Sequence, residues 1–373
     1  MRTGARNGHT PAAELGVASL LGRPVVDVDV AGFCGYLADA TVLVTGAGGS
    51  IGAELCAQLV RRGVGELVLV DQAEASLAAV VRRLADDLGF RDAAPVLADI
   101  KSPERTASVF EEHRPAVVFH AAAYKHVPLL EASPTEGVAT NVLGTKCVVD
   151  AARRTRVGRF VLFSTDKAVE PASILGQTKA VAEWIVAAAG REAAVGRYTS
   201  VRLANVVDST GSILPVFRQQ IARGGPLTVT HPAVTRYLMT ADEAAKLAIV
   251  AGGLGDAGGI LWLDSGPPVT ILDLARRLAS AASHDVAVEF IGLRMGERLH
   301  ERLYSSGDEI AATPCEHVWR ASASHVDPAW LNGWLSVLAR HVERASATGV
   351  RAALAEMITA PERRGARQTA VVA

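Results

Sequence analysis

The chain lacks most of the features that would tie it to a special environment. It has four cysteines, Cys34, Cys56, Cys147 and Cys315, widely separated and with no CxxC pair, so a disulfide framework is not expected and the thiols are read as reduced. It has no excess of one charge: 38 Lys and Arg stand against 39 Asp and Glu, which leaves no global field to draw it onto nucleic acid or an anionic bilayer. No run reaches the ~18 apolar residues that a membrane helix needs. The first thirty residues mix Arg2 and Arg6 with Glu14 and Arg23, without the apolar core and cleavage site of a secretory signal. These absences point to a cytoplasmic, soluble protein with no nucleic-acid partner, no membrane span and no residue assigned to a metal. What is plentiful is apolar material: 49% hydrophobic residues in a chain of 373 supply a large core and exclude disorder as its main state.

From Thr41 onward, apolar runs at 41–45, 67–70, 95–97, 117–120, 160–163 and 200–203 alternate with stretches of helical spacing such as 53–62, 75–88 and 145–154. Such alternation predicts an α/β fold, a doubly wound parallel sheet covered by helices on both faces. Residues 1–40 read as an arm and lead-in, 41–205 as the sheet domain to which some later segments return, and 206–320 as a smaller lobe punctuated by Gly and Pro. Residues 321–373 read as a long helix, about 330–357, and an Arg-rich tail.

The segment from Thr45 to Gly52, Thr-Gly-Ala-Gly-Gly-Ser-Ile-Gly, follows the first strand and opens a helix. Glycines at 46, 49 and 52 permit a tight turn, close approach of the backbone to a pyrophosphate and close packing of helix on strand. Ser50 and Ile51 start the helix whose free N–H groups attract the anion. Asp71 ends the next strand, 19 residues beyond Gly52, where a carboxylate can bond the adenosine ribose. A bound NAD or NADP is expected. The acid by itself favours NAD, while Arg82 and Arg83 lie too far along the next helix to decide.

Further motifs carry a family resemblance. Leu97-Ala98-Asp99-Ile100, His120-Ala121-Ala122-Ala123, the run from Tyr124 to Glu131, Asn141-Val142-Leu143-Gly144-Thr145 and Ser164-Thr165-Asp166-Lys167-Ala168-Val169 occur in that order. They are followed by the runs 228–232, 235–240 and 292–299. Together they resemble the extended short-chain dehydrogenase/reductases, and within them the UDP-N-acetylglucosamine 4,6-dehydratases of polysaccharide biosynthesis. The resemblance implies a Rossmann-type sheet with a smaller C-terminal substrate-binding lobe. The segment Leu20 to Pro24 is similar to the lead-in of membrane-anchored members, whose transmembrane region is missing from this sequence. By the same resemblance, Asp99, Ile100, Ala121, Ala122, Ala123, Asn141 and Lys179 join the cofactor site. Lys125, His126, Asn205, Arg236, Arg294 and Glu297 hold a UDP-linked sugar, and the protein self-associates.

A 4,6-dehydration moves hydride from C4 to the nicotinamide, removes the C5 proton made acidic by the new ketone, expels the C6 oxygen and returns hydride to C6. The resemblance assigns Lys167, its pKa lowered by burial, as the C5 base, Asp166 as the acid for the C6 oxygen, and Thr165 as a contact to the C4 oxygen. Lys179 binds the nicotinamide ribose. The usual Tyr-x-x-x-Lys is broken: Leu175 stands four residues before Lys179 where a tyrosine is common and methionine occurs in some relatives. A second departure is the loop 205–212, in which Asp208 and Thr210 replace a glycine and a basic residue and weaken attraction for a diphosphate if the loop faces one. Epimerisation and 5,6-dehydration begin with the same ketone and stay open as alternatives, as does a non-catalytic sugar-nucleotide binder.

Overall fold

The computed structural model describes residues 20–360, apart from 194, 256–257, 283 and 323–325. The N-terminal arm before residue 20 and the Arg-rich tail after 360 lie outside the described residues. Six strands and their helices follow the alternation of the sequence: β1 (Thr41–Thr45), α1 (Ser50–Val60), β2 (Glu66–Asp71), α2 (Glu74–Leu88), β3 (Ala93–Leu97), α3 (Pro103–His113), β4 (Val117–His120), α4 (Val127–Ala132), α5 (Pro134–Val138), α6 (Thr145–Arg154), β5 (Arg159–Thr165), α7 (Ile174–Glu192) and β6 (Arg197–Leu203). A π-helical turn, Ala139–Gly144, leads into α6. Side chains alternate across the sheet as the pleat requires. Leu43, Phe160 and Leu162 enter the core under α3, α6 and α7. Val42, Val44 and Val161 enter the core on the opposite face.

The later part of the chain divides its elements between sheet and lobe. They are β7 (Asn205–Val206), α8 (Ile213–Ala222), β8 (Leu227–Val229), β9 (Thr235–Arg236), β10 (Leu238–Met239), α9 (Ala241–Leu254), β11 (Ile260–Leu263), β12 (Val269–Thr270), α10 (Ile271–Ser280), β13 (Val288–Phe290), β14 (Ile310–Ala312), β15 (Val318–Ala321), α11 (Pro328–Glu343) and α12 (Ala347–Thr359). The nine-stranded sheet runs β14-β15-β11-β6-β5-β4-β1-β2-β3. Strands from β3 to β11 are parallel, and β15 and β14 are antiparallel additions at one edge. The lobe has its own core of Leu214, Phe217, Leu227, Val229 and Leu274.

Two segments differ from the sequence reading. The lead-in, to which the sequence gives no defined structure, is packed: Val28, Val30 and Leu37 enter the sheet core, and Arg23 makes a two-pronged ion pair with buried Glu243 at 2.7 and 3.0 Å. The single long helix near the end is two helices, broken at Ala345, whose φ of 49° cannot continue a helix. Leu335, Leu338, Leu354 and Met357 from this pair join the core formed with α5 and α7, so the C-terminal segment packs on the helices that cover the sheet. Arg351 of α12 donates to Glu131 at 2.9 Å, and Glu131 accepts the N–H of Ile174, the first residue of α7, at 2.7 Å. Among the described residues no helix is long and apolar enough to cross a membrane, and no group of three or more His, Cys, Asp or Glu is placed to hold a metal.

Candidate active site

The sheet order reverses direction beside β1, whose neighbours are β2 and β4, and a crevice opens at the C-terminal ends of those strands. It holds about 580 Å³ of empty space, part of it open to solvent. Of the expected cofactor residues, Gly46, Gly49, Asp71, Asp99, Ile100, Ala121, Ala122 and Ala123 line it, together with Tyr124 and Thr140. Gly46 has φ 69°, and a Cβ there would stand 2.6 Å from the Ala122 nitrogen. A Cβ at Gly52 would meet the Gly46 carbonyl at 2.1 Å, so helix, turn and strand approach each other as closely as backbone allows. No side chain caps α1, which leaves its first N–H groups to an anion.

The Asp71 carboxylate accepts the N–H of Gly48 at 2.8 Å and that of Ala73 at 2.9 Å, so it braces the glycine turn while keeping lone pairs for a diol. Arg83 is turned to Glu54 at 3.0 Å, and among the described residues no basic side chain lines the crevice beside Asp71. The Thr140 hydroxyl is buried in the wall with no hydrogen-bond partner among the described residues. An anion-binding helix start, a diol-binding acid and an orphan hydroxyl in one cleft fit a dinucleotide.

Two expected cofactor residues are used within the protein. Asn141 is fully buried; its amide accepts the Tyr124 N–H at 2.9 Å and donates to the Tyr124 carbonyl and Thr178 at 3.0 and 3.2 Å. It fixes the wall rather than facing the cleft, a role that its position in a motif does not reveal. The Ser50 hydroxyl accepts the Thr210 N–H at 3.1 Å and meets the Thr210 hydroxyl at 3.2 Å. The loop 205–212 therefore reaches the glycine turn, and its acid is neutralised: Asp208 pairs with Arg218 at 2.6 Å.

The end of β5 carries the second half of the site. Thr165 donates to Asp166 Oδ1 at 2.9 Å, and its hydroxyl also accepts the Lys167 N–H at 3.4 Å. Lys167 Nζ donates to Asp166 Oδ1 at 2.9 Å and Asn205 Oδ1 at 2.7 Å, and lies 3.7 Å from Glu301 Oε1. Asp166 is completely buried, and the Glu301 side chain is 3% exposed. The surroundings of Lys167 are thus acidic, and its side chain is half-buried.

Glu301 carries no signal in the sequence. It sits in the charged run Glu297-Arg298-Leu299-His300-Glu301-Arg302, which reads as a solvated face, and only the tertiary fold turns it inward. Burial lifts its carboxyl above the ordinary range against the pull of Lys167; the Asp166 charge adds to the rise, and Arg236 and Arg298 oppose it.

Lys179 projects from α7, buried, its ammonium lowered to about 8 by desolvation although Glu183 opposes the shift. Glu183 is itself clamped by Arg202 at 2.9 and 3.0 Å and by Ser164 at 2.6 Å. Leu175, one turn earlier, is buried in the core. His120 is enclosed between Thr45 at 2.6 Å and Thr145 at 2.9 Å; burial, aided by the Lys179 charge, lowers it to about 3 and keeps it neutral.

The expected sugar-nucleotide residues divide. Lys125 donates to Ser209 at 3.3 Å, and His126 abuts Gly211, so both face the 205–212 loop. Asn205 meets Lys167. Arg236 and Glu297 come together at 2.9 Å, but with each other: Arg236 also donates to the Thr235 and Leu299 carbonyls, and Glu297 accepts from Thr230 and from the Arg294 N–H. They build the lobe's edge, while the Arg294 side chain is exposed beside them.

Comparison with known proteins agrees with this architecture. A family model described as "Polysaccharide biosynthesis protein" matches residues 42–323. The capsular polysaccharide biosynthesis protein CapD of Staphylococcus aureus is 41% identical over 83% of this chain and 52% of its own length. The probable polysaccharide biosynthesis protein EpsC of Bacillus subtilis is 40% identical over 87% and 54%. The chain thus spans about half the length of these curated relatives. A UDP-glucose 4-epimerase of Rickettsia rickettsii is 33% identical over 76% of this chain and 82% of its own.

Among solved structures, Pen from Bacillus thuringiensis superposes with a TM-score of 0.72 at 28% identity, covering 77% of this chain and 89% of that one. The dTDP-glucose 4,6-dehydratase DesIV of Streptomyces venezuelae, solved with NAD bound, gives 0.62 at 24% identity, covering 71% and 87%, and shares the fold. The fold is the Rossmann-type architecture that these structures share, and the chain belongs to the polysaccharide biosynthesis protein family.

Proposed function

We propose that the chain is an NAD-dependent nucleotide-sugar 4,6-dehydratase acting on UDP-N-acetylglucosamine or a related UDP-sugar. The observation that carries this reading is the pairing of buried Asp166 with half-buried Lys167 at the end of β5, one strand from the cleft that fits a dinucleotide. Names borne by relatives support the substrate class: capsular polysaccharide biosynthesis for CapD and UDP-glucose for the epimerase. The Asp71 carboxylate, with no basic side chain among the described residues lining the cleft beside it, favours NAD over NADP, because it repels a 2′-phosphate.

When bound, the nicotinamide accepts hydride from C4 of the sugar and returns it at C6. Gly46, Gly49 and the start of α1 take the pyrophosphate, Asp71 the adenosine ribose, and Lys179 the nicotinamide ribose and the charge that develops on the C4 oxygen. With Leu175 in place of a phenol, the Thr165 hydroxyl is the donor nearest the Asp-Lys pair and guides the C4 hydroxyl proton. Once C4 is a ketone, Lys167 as an amine takes the C5 proton, the C5–H pair becomes the C5–C6 double bond, and Asp166 gives a proton to the departing C6 oxygen. That leaves the pair as ammonium and carboxylate; as hydride enters C6 the ammonium gives a proton to C5, and the proton that left the C4 hydroxyl for water is taken back by the amine, restoring the resting pair.

The relatives named as UDP-glucose 4-epimerases favour epimerisation as the second reading. Incubation with NAD and a panel of nucleotide sugars in deuterated water, followed by mass spectrometry, separates the readings. Dehydration removes one water and places solvent deuterium at C5. Epimerisation leaves the elements of water in place, and a sugar recovered unchanged from every incubation defeats both.

A further inference from the structure

Resting on that reading, the geometry points to Glu301 as a positioning residue: a buried carboxyl that holds a proton, and by staying uncharged lets Lys167 pass its own proton to Asp166. Three titratable groups share one pocket. Asp166 and Glu301 are buried, Lys167 Nζ lies between them at 2.9 and 3.7 Å, and each acid leaves one oxygen, Asp166 Oδ2 and Glu301 Oε2, buried without a partner among the described residues. Fully ionised, the trio carries a net negative charge away from water, and one added proton removes it.

Geometry assigns that proton. Asp166 Oδ1 accepts two hydrogen bonds, from Thr165 and Lys167, which suits a carboxylate. No donor stands within hydrogen-bond distance of Glu301 among the described residues; its nearest cation is Lys167. Two other cations face it and are occupied elsewhere: Arg236 on Glu297, and Arg298 on the Val169 carbonyl.

The role follows from charge. For Lys167 to accept the C5 proton it must first be an amine, its own proton moved 2.9 Å to Asp166 Oδ1. A neutral Glu301 leaves that transfer unopposed. An ionised Glu301 puts a second negative charge beside Nζ and holds the ammonium. No atom of Glu301 enters the product; after C5 deprotonation and protonation of the leaving oxygen the trio returns to one ammonium, one carboxylate and one carboxylic acid.

The test compares wild type with Glu301→Gln, a neutral isostere, and Glu301→Asp, which keeps an acid. Turnover of wild type falls as pH rises through ionisation of the trio, about tenfold per pH unit. Glu301→Gln stays within about threefold of wild type on the acid side of that fall and keeps its rate beyond it, whereas Glu301→Asp retains the fall. A merely structural role lowers the rate of Glu301→Gln equally at every pH, and profiles that superimpose after scaling overturn the proposal.

A second readout needs no substrate. The infrared difference between wild type and Glu301→Gln at neutral pH shows the carbonyl stretch of a protonated carboxyl, and its absence also overturns the proposal. If the band is present but neither protein turns over any nucleotide sugar, the dehydration reading falls and takes the role of Glu301 with it, while the protonated carboxyl stands.

Discussion

The two halves of the site are built from opposite materials. Around the glycine turn the cleft is made mainly of backbone and small side chains: Gly46, Gly49, Ala121 and Ala122 offer space, the uncapped start of α1 offers N–H groups, and Asp71 spends hydrogen bonds bracing the turn. At the end of β5, Asp166, Lys167 and Glu301 crowd charged side chains into a buried pocket. The first half recognises by shape and can be occupied with little change in protonation. The second is costly in the resting protein, because burial opposes each charge, and such cost is the usual mark of chemistry rather than of binding.

Substitutions break this contrast in order of size. Lys167→Ala removes the amine, and turnover drops by ~10²–10⁴-fold, the usual worth of a general base. Its affinity for NAD, followed by fluorescence titration, stays at the wild-type value; a parallel loss of both ends the division into halves. Gly46→Val does the reverse. It places a branched side chain at a φ of 69° against the Ala122 backbone, so NAD affinity falls sharply and thermal unfolding reveals a loss of about 1–3 kcal/mol.

Lys179, between the halves, sharpens the comparison through pH. Its folded value of about 8 lies below the ordinary 10.5, so between the two the unfolded chain binds more protons and the stability of wild type relative to Lys179→Met rises with pH. Denaturant titrations across that window should recover up to ~3 kcal/mol, since each tenfold loss of proton affinity on folding is worth about 1.4 kcal/mol, and a flat difference shows that the ammonium is not desolvated. The smallest effect is expected for Asp71→Asn, which keeps the shape but loses the charge. NAD binds ~3–10-fold more weakly, about 1 kcal/mol, and preference over NADP narrows, read from the two dissociation constants.

The sequence exposes these halves unequally. Glycine spacing and the acid at the end of β2 are local signals, because the turn and the carboxylate that braces it lie in consecutive strand and helix units, and so the cleft could be read in advance. The sheet could be read for the same reason, from alternating apolar runs. Asn141 illustrates the limit: its motif marks it as special, but only packing shows that its amide holds Tyr124 and not a ligand. Glu301 lies 134 residues beyond Lys167, in a run where charges at 297, 298, 301 and 302 suggest solvent. Arg236 and Glu297 are legible as a pair of interest, but not as partners of each other. Nor does hydrophobic spacing reveal the break at Ala345, since both helices that flank it keep the same apolar period.

The bond from Arg351 to Glu131, and from Glu131 to the first N–H of α7, has a practical bearing on anyone trimming the protein. A boundary drawn at residue 321 cuts away the guanidinium that steadies the footing of the helix bearing Lys179, and strips the Trp330 ring, 6.3 Å between centroids, from Trp184 on the same helix. The shortest useful version runs at least through Ala360, and the terminal helical pair serves as ballast for the lysine rather than as a detachable accessory.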